Sequence, residues 1–504
     1  MTLFASSLDW IRGQLPLTVP ALSILFSIIV LYGISKAVYN VYFHPLSQFP
    51  GPKLAAATTL YSVFEVFCGR NATWVKGLHD LYGPIVRTRP NEVSFIDEAA
   101  WKDIYNFRQN QKQMSKLQRG ARKNQPFSIL SAPDDVHARQ RKLVSHAFSE
   151  RALREQEPLI QGYVGLLMSN LRADAKADIM TNMTLAFNLT TFDIISDLSF
   201  GESFNGLATR TPHSFMITLF DALRYRSWIL ALIDLKIPVL SKMSVALLLP
   251  FLRGGSTLAT YTAEKVRTRI DNGTDRPDFM SFVLRHNDER GMSRGEIEAT
   301  FSTFMIAGSE TTATSLSGCT YLLLKNPKVM KRLQEEVRRK FENDEAITLL
   351  GVDQLRYLNA VIEEALRLYP PVPIALSRRT PPEGAVICGH FVAGETRVGI
   401  PQNAAFHSAL NFAQPDSFIP ERWLNEDASF ANDKKAVCQP FSVGPRNCVG
   451  RNLAYSELKL VLARLIFNFD LELVDEGEDW LDQKVYTLWL KKPLMVRVKE
   501  RVSW

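Results

Sequence analysis

Cys448 is the residue whose surroundings most clearly indicate chemistry. It stands in PFSVGPRNCVGRNLA, residues 440–454, with no second cysteine at metal-site spacing. Its near neighbours in the chain include Phe441, Gly444, Arg446 and Gly450. The run NLAYSELKLVLARLIFNF that follows has helical periodicity. The segment therefore joins one thiol to a glycine-bearing loop and the start of a helix.

Four interpretations of this cysteine differ in what they require. A structural zinc site needs four ligands, usually in close pairs, and the sequence around Cys448 offers none. An inert buried cysteine has no need of arginines and glycines at fixed offsets. A nucleophilic cysteine needs a histidine base, and the eight histidines of the chain leave this open. The fourth interpretation is a thiolate bound to haem iron.

The haem-thiolate interpretation accounts for each neighbour of Cys448. Glycines such as Gly450 let a loop turn tightly and approach the porphyrin. An arginine such as Arg446 can pair with a haem propionate. A helix that begins directly after the cysteine points its amide groups at the sulfur and stabilises the anion.

Composition restricts the class of protein. The chain has 504 residues, 46% of them hydrophobic, which suffices for a large core. The net charge of +7 comes without the Lys/Arg block typical of nucleic-acid binding, so we expect no nucleic-acid partner. Five widely spaced cysteines without a CxxC pair predict a reducing compartment for the bulk of the chain.

The N-terminal segment predicts a membrane anchor. Residues 15–35 are uncharged and about as long as the roughly 20 residues that a bilayer span needs. A cleaved signal peptide is the alternative, but the run continues into Lys36 without a cleavage site of small residues. We predict an anchor over 1–40, a proline-rich hinge over 41–53 and one large domain over 54–504.

A long central helix is predicted from Ser293 to Lys325. Ser293 and Glu296 form a capping box, and Asn326-Pro327 stops the helix. In its middle stands AGSETT, residues 307–312, where a glycine and several hydroxyls predict a local kink. A core helix with a packing glycine is the alternative.

A second helix is predicted over residues 355–369, ended by the prolines that follow. Glu364 and Arg367 are three positions apart and so lie on one face of it. From spacing alone, an ordinary exposed ion pair is the simpler interpretation.

Taken together, these motifs resemble the cytochrome P450 superfamily of haem-thiolate monooxygenases. The chain matches its haem-binding signature, its oxygen-activation motif, its Glu-x-x-Arg pair and its Pro-Glu-Arg-Phe motif, the last with Trp423 for Phe. The matching segments are residues 441–450, 307–312, 364–367 and 420–423. The resemblance covers essentially the whole chain and implies a mainly α fold with small β-sheets. It is closest to filamentous-fungal microsomal members of secondary metabolism, such as isotrichodermin hydroxylase.

The resemblance implies a role for each site residue around a haem b cofactor. Cys448 is expected as the axial thiolate, with Phe441 beside the sulfur. The expected propionate partners are Arg446, Arg378, His137 and Arg141. For His137, a surface histidine on a charged helix is the alternative.

The resemblance also implies a bracing network and a proton-delivery pair. Glu364, Arg367 and Arg422 are expected to form a buried charged network that braces the haem loop. Thr311 and Glu310 are expected to deliver protons to bound dioxygen while bulk water stays out.

The substrate-contacting regions of the family fall on largely apolar stretches and predict a lipophilic small molecule: a terpenoid, polyketide or alkaloid-derived compound. These stretches are residues 111–130, 215–240, 372–376 and 486–488 and one face of the central helix. The candidate pocket residues are Phe301, Phe304, Met305, Ala307, Ile374, Leu376 and Leu488. Ordinary core packing is the alternative for each of them.

The remaining expectations concern electrons and location. The chain has no Gly-x-Gly-x-x-Gly nucleotide motif, so NADPH is expected to act through a separate flavoprotein reductase. That reductase is expected to dock near Arg446, Arg451 and Lys459 in a salt-sensitive way. We expect an endoplasmic reticulum anchor with a cytosolic catalytic domain. The alternatives are a haem-thiolate isomerase, dehydratase or peroxide-using enzyme, and a non-catalytic haem sensor.

Overall fold

The computed structural model describes residues 3–108, 112–117, 126–237, 260–273, 276–288 and 291–501. These residues form a mainly helical protein with four small β-sheets, which confirms the predicted fold class.

The α-helices, in chain order, have the following bounds. They are α1 Leu3–Tyr42, α2 Lys53–Ala57, α3 Leu60–Phe67, α4 Asn71–Tyr82, α5 Ala99–Tyr105, α6 Asp134–Ser145, α7 Glu150–Lys176, α8 Met183–Phe200, α9 Gly206–Thr209 and α10 Ser214–Asp234. They continue with α11 over the described residues 260–272, α12 Phe279–Arg285, α13 Arg294–Lys325, α14 Pro327–Lys340, α15 Leu349–Asp353, α16 Arg356–Leu368, α17 Gln402–Phe406 and α18 Arg451–Asn468.

The strands are short. They are β1 Ile85–Arg89, β2 Glu92–Phe95, β3 Ser115–Lys116, β4 Thr181–Asn182, β5 Arg378–Arg379, β6 Ala385–Ile387, β7 His390–Val392, β8 Arg397–Gly399, β9 Phe469–Leu473, β10 Val485–Tyr486, β11 Leu488–Trp489 and β12 Met495–Glu500. The largest sheet has the order β1-β2-β8-β5-β3, in which β2 and β8 are parallel and the other neighbours antiparallel.

Helix α13 lies at the centre of the larger of two hydrophobic clusters. It packs along α8 and also contacts α16 and α18. Because these neighbours surround it, nearly every residue between positions 312 and 323 is buried. The central helix predicted from the sequence is confirmed with its capping box and its C-terminal end.

The N-terminal helix is long and apolar enough to cross a membrane. Its segment Ser23–Tyr42 has a mean hydropathy of 1.7 and is only 6% buried against the rest of the protein. The proline-rich segment that follows packs against the body of the protein. Leu46 is fully buried, and the amide of Arg87 on β1 donates to the carbonyl of Pro50 over 2.7 Å. A side chain at Gly51 would lie 2.4 Å from the Arg87 carbonyl oxygen, so only glycine fits this contact.

Candidate active site

Gly308 lets α13 approach α8 closely. A Cβ atom at this position would lie 2.6 Å from Cδ1 of Ile195 on α8. Next to it, the Thr191 hydroxyl on α8 donates to the Ser309 carbonyl over 2.8 Å. The structure therefore gives Gly308 the packing role named as the alternative, and the helical hydrogen bonding continues through residues 307–312.

The hydroxyls of the same motif bond back to their own helix. Oγ1 of Thr311 donates to the carbonyl of Ala307 over 2.5 Å, and Oγ of Ser309 donates to the carbonyl of Met305 over 2.6 Å. Ala307 is exposed and Thr311 half-buried, although the helix around them is largely buried. Thr303, which is half-buried, precedes Ala307 by four positions and shares this face.

Three of the predicted pocket residues instead belong to the core. Phe301, Phe304 and Met305 are 0%, 5% and 0% exposed. Their aromatic rings pack against one another and against other helices: Phe304 on Phe148 at 5.3 Å between ring centroids, and Phe301 on Phe200 at 6.5 Å. This packing matches the core alternative named for these residues, and their contact with a substrate stays a prediction. The accessible face of α13 carries Thr303, Ala307 and Thr311.

The cysteine loop is tightly turned and tied to α6. The Cys448 amide donates to the Phe441 carbonyl over 2.9 Å, and the Arg141 guanidinium donates to the Asn447 carbonyl over 2.6 Å. Gly444 has a φ of 76°, and a Cβ there would lie 2.0 Å from the Tyr105 carbonyl oxygen. Helix α18 begins at Arg451, three residues after the cysteine, as the sequence predicted.

The surroundings of Cys448 act on the pKa of its thiol in two opposite directions. The residue is exposed, yet the protein packed around it raises the pKa of its thiol. A backbone hydrogen bond from Gly450 and the charges of Arg141 and Arg451 act in the opposite direction and favour the thiolate. An ideal Cβ on Gly450 would lie 4.0 Å from Cys448 Sγ and 3.8 Å from the Phe148 ring. Within the described ranges, no cluster of three His, Cys, Asp or Glu residues suits a metal ion, which argues against the zinc interpretation.

Phe441 lies at the start of the same loop and is half-buried. Its ring contacts the ring of Tyr455 on α18 with centroids 4.9 Å apart. Through this contact the loop and the helix that follows it hold each other in place.

A cluster of basic side chains lies beside the cysteine loop. It comprises Lys116, His137, Arg141, Arg378 and Arg446. Burial and then the charges of Arg446, Arg141 and Lys116 lower the pKa of His137 to about 4. Burial and then Arg378 and Arg446 lower the pKa of Lys116 to about 7. Such mutual repulsion is relieved by an anion, so the donor set suits the carboxylates of a haem.

Arg446 supports the same conclusion. Its Nη2 donates to Asp134 over 2.5 Å and to the Ala132 carbonyl over 2.8 Å. Its Nη1 is buried and has no hydrogen-bond partner among the described residues. A buried guanidinium N–H without an acceptor is costly, and a propionate oxygen would satisfy it.

The structure brings Arg378, His137 and Arg141 together with Arg446, and their binding of a propionate stays a prediction. His137 is buried, so the surface-histidine alternative is wrong. Arg378 is also buried and lies 5.0 Å from the Tyr105 ring centroid. Lys116 was not predicted; it lies in the segment that had been assigned to substrate contact, and no motif marks it.

Glu364, Arg367 and Arg422 form one fully buried network. Arg367 donates twice to Glu364 over 2.8 Å, and Nε of Arg422 donates to the same carboxylate over 2.9 Å. Trp423 Nε1 donates to Glu364 Oε2 over 2.9 Å. Arg422 also pairs with Asp433, which sequence reasoning did not identify. The exposed-pair interpretation of Glu364 and Arg367 is wrong, since both side chains are 0% exposed.

The network ties together the chain that leads to the cysteine loop. Its arginines donate to backbone carbonyls between residues 406 and 417. These hydrogen bonds fix the backbone of the segment that precedes the cysteine loop in the chain.

Glu310 pairs with Lys491, another residue that sequence reasoning did not identify. Burial raises the pKa of Glu310 and lowers the pKa of Lys491, and each charge opposes the shift of the other. Two positions further along α13, Thr312 hydrogen-bonds the buried carboxyl of Glu457 on α18, whose pKa burial raises to about 8. The two residues that flank Thr311 in the chain are therefore each tied to a buried partner, Glu310 to Lys491 and Thr312 to Glu457.

The remaining predicted pocket residues are half-buried. Ile374 packs on the larger core cluster and Leu376 on the smaller, while Leu488 lies in the β10–β11 hairpin. Helix α10 reaches this hairpin, where the hydroxyls of Ser227 and Thr487 are 3.0 Å apart. Of the predicted substrate regions, residues 111, 118–125 and 238–240 lie outside the described residues.

Comparison with known proteins gives consistent matches. The family model described as Cytochrome P450 matches residues 63–498. The chain is 42% identical to Cytochrome P450 monooxygenase astA of Talaromyces wortmannii, over 95% of this chain and 97% of that protein. It is 42% identical to Cytochrome P450 monooxygenase lcsI of Purpureocillium lilacinum, over 94% and 93%. It is 41% identical to Trichothecene C-4 hydroxylase of Trichoderma arundinaceum, over 93% and 95%.

Proposed function

The chain belongs to the cytochrome P450 family and is a haem-thiolate monooxygenase, and we propose that it oxidises a lipophilic fungal secondary metabolite with Cys448 as the axial ligand of haem b. The observation that carries this proposal is the cysteine loop flanked by the basic side chains of Lys116, His137, Arg141, Arg378 and Arg446. When bound, the haem supplies dioxygen activation, which the electron donation of the thiolate favours.

The cluster of basic side chains is proposed to hold the haem carboxylates. Arg446 offers its unsatisfied Nη1, and His137 and Lys116 each carry a lowered pKa that a nearby anion would raise. Arg141 and Arg378 complete the set, and Gly450 keeps a side chain from the surface between the sulfur and Phe148. Phe441 is proposed to shield the sulfur from the opposite end of the loop.

Thr311 and Glu310 are proposed to manage protons at the reacting face of α13. The Thr311 hydroxyl donates to the Ala307 carbonyl, so its oxygen can still accept a hydrogen bond from a water molecule. Glu310 precedes it in the chain and is the acid from which a proton would be relayed.

The location and the partners are proposed from α1 and the chain surface. We propose that α1 anchors the protein in the endoplasmic reticulum, with residues 54–504 as a cytosolic catalytic domain that receives electrons from an NADPH-dependent reductase. Of the three cations expected at the docking surface, Arg451 is exposed, whereas the side chains of Arg446 and Lys459 are 10% and 15% exposed and paired with acids. Arg451 is therefore the residue we propose for salt-sensitive docking.

The relatives support the substrate class. One similar protein is named for hydroxylation of a trichothecene, and the candidate pocket residues Ile374, Leu376 and Leu488 of this chain are apolar. We test the proposal with membranes that contain this chain and a reductase, supplied with NADPH, apolar candidate substrates and isotopically labelled dioxygen. A product with one labelled oxygen atom, formed only with NADPH, is expected. Turnover without NADPH or labelled oxygen would instead support the isomerase or dehydratase alternative.

A further inference from the structure

A buried ion pair joins the middle of α13 to the C-terminal part of the chain. Nζ of Lys491, two residues after β11, contacts Oε1 of Glu310 and donates to the hydroxyl of Thr314 over 2.9 Å. The Lys491 side chain is 3% exposed and that of Glu310 is 7% exposed. The pair crosses 181 positions of the sequence to reach the residue next to Thr311.

Stability alone is a poor reason for such a pair. Removing two charges from water costs several kcal/mol for each ion, and apolar side chains of similar volume often stabilise a protein as well or better. The other buried side chains in the described part of α13 carry no charge: they are apolar or bear hydroxyls, several of which bond to the helix's own backbone. The ion pair therefore needs an explanation in terms of the charge or the geometry of Glu310.

The two oxygens of Glu310 are in different situations. Oε1 is engaged by Lys491, whereas Oε2 is buried and has no hydrogen-bond partner among the described residues. An ionised carboxylate oxygen in this situation accepts a proton or a hydrogen bond readily. Lys491 thus fixes the carboxylate by one oxygen and leaves the other available.

The other groups that face this carboxylate do not replace the lysine. Tyr369, which follows α16, is close enough for Glu310 to raise its pKa, but its hydroxyl donates to Gln483 over 2.7 Å. Thr314 lies on α13 itself and donates to the Glu310 carbonyl. Glu457 of α18 is bonded to Thr312, and burial raises its pKa to about 8, so it supplies no positive charge to Glu310. Among the described residues, Lys491 is therefore the cation that pairs with Glu310.

We propose that Lys491 is the positioning residue of Glu310: it holds the carboxylate ionised by Oε1, so that Oε2 can take up a proton and pass it toward Thr311. This inference rests on the proposed function in one respect: it takes from it the role of Glu310 in proton delivery. The ionisation of Glu310 itself is a property of the protein fold and is measurable without turnover.

The charge of Lys491 decides the protonation of Glu310. Burial alone raises the pKa of this carboxyl, and the ammonium group is the cause that lowers it. Without the lysine the opposing effect is lost, so Glu310 holds a proton more tightly than in the wild type. A protonated Glu310 no longer accepts a proton at Oε2, so the relay is expected to stop.

Infrared spectroscopy of the full-length holoenzyme tests this directly, since a protonated carboxyl has a C=O stretching band that a carboxylate lacks. We expect Lys491→Met to gain such a band at pH 7, and the double variant Lys491→Met with Glu310→Gln to lack it. Lys491→Arg, which keeps the charge, should resemble the wild type. Lys492→Met is the matched control, because Lys492, the next residue in the chain, pairs instead with Glu478 at the surface over 2.8 Å. Lys491→Gln keeps an N–H donor without the charge and makes the same test if the methionine variant does not fold.

The product formed per NADPH consumed gives the second readout. We expect it to fall about tenfold in Lys491→Met and to recover in Lys491→Arg, as for loss of a proton-transfer group. No new carboxyl band in either uncharged variant would overturn the proposal, and so would an unchanged product yield. The haem spectrum of the wild type tests the proposed function separately, because the infrared band does not depend on the identity of the iron ligand.

Discussion

Nε of Arg422 lies 2.9 Å from Oε1 of Glu364, although the two residues are 58 positions apart. Both side chains are 0% exposed, and Arg367 occupies the other side of the same carboxylate. The guanidinium groups of Arg367 and Arg422 also lie over the ring of Phe412, 5.0 and 5.8 Å from its centroid. One acid therefore fixes two arginines, and these hold the backbone that leads to the cysteine loop.

Removal of Arg422 is expected to destabilise the fold severely. Arg422→Met leaves Asp433 and one side of Glu364 buried without their partner, which should cost about 3–5 kcal/mol in the free energy of unfolding. Urea unfolding measures this difference. Arg379→Met is the control, because Arg379 and Glu395 form an exposed pair whose loss should cost about 1 kcal/mol or less. Equal losses in the two variants would contradict a structural role for the buried network.

Gly308 is expected to tolerate no side chain while Ile195 faces it. Gly308→Ala places a methyl group 2.6 Å from Ile195 Cδ1, so we expect a loss of about 1–3 kcal/mol from overpacking. The double variant with Ile195→Ala should lose less than the sum of the two single variants, because the second change frees the space. Thermal unfolding measures both.

A matched glycine provides the control. A Cβ at Gly162 in α7 would meet no atom within 4 Å, so Gly162→Ala should stabilise the helix by up to about 1 kcal/mol. Additive losses at positions 308 and 195 would show that the two residues do not share one contact.

Glu457 is expected to make stability fall as pH rises. The folded chain keeps this carboxyl protonated up to a pKa of about 8, whereas the unfolded chain releases the proton above about 4.3. The unfolded state therefore binds fewer protons between these values, so the free energy of unfolding decreases from about pH 5 to pH 8.

Glu457→Gln removes the titration and keeps the shape of the neutral acid. We expect it to be more stable than the wild type at pH 8 by roughly 3–5 kcal/mol and nearly equal to it at pH 4, as measured by urea unfolding. Glu472→Gln, at an exposed position of β9, should leave the pH dependence unchanged. Parallel pH curves for the wild type and Glu457→Gln would refute the buried neutral acid.

Thr311 is expected to control product formation without affecting haem binding. Thr311→Ala removes the hydroxyl of the accessible face, and we expect the product formed per NADPH to fall about 10- to 100-fold. Thr311→Ser should retain most of the activity. Ser317→Ala, which removes a buried hydroxyl that bonds back to Ala313 on the same helix, should have little effect. Loss of activity in the serine variant as well would indicate that packing, rather than the hydroxyl, matters.

Local signals explain what the sequence could predict of the fold. Ser293, Glu296 and the Asn326-Pro327 stop specify both ends of α13 through contacts within four residues, and the structure has the same ends. Glu364 and Arg367 lie on one turn, so their pairing was also visible. Their complete burial was not, because it depends on segments 40–50 positions away, as in the Arg367 bonds to the carbonyls of residues 406 and 415.

Long-range partners explain what sequence reasoning missed. Lys491, Lys116 and Asp433 reach the site from other parts of the chain, and no short motif marks them. Periodicity gave α13 its faces but could not say which one meets α8. Phe301 and Met305 therefore entered the pocket prediction, although both pack in the core.

The identity of the iron ligand is the central claim, and one spectrum tests it most directly. The reduced, carbon-monoxide-bound difference spectrum is recorded on the wild type and on Cys448→Ser. We predict the strongly red-shifted Soret band of a thiolate ligand in the wild type and its loss in the variant. A folded wild type that binds no haem, or that shows the band of a neutral ligand, would contradict this account and return Cys448 to the nucleophilic interpretation.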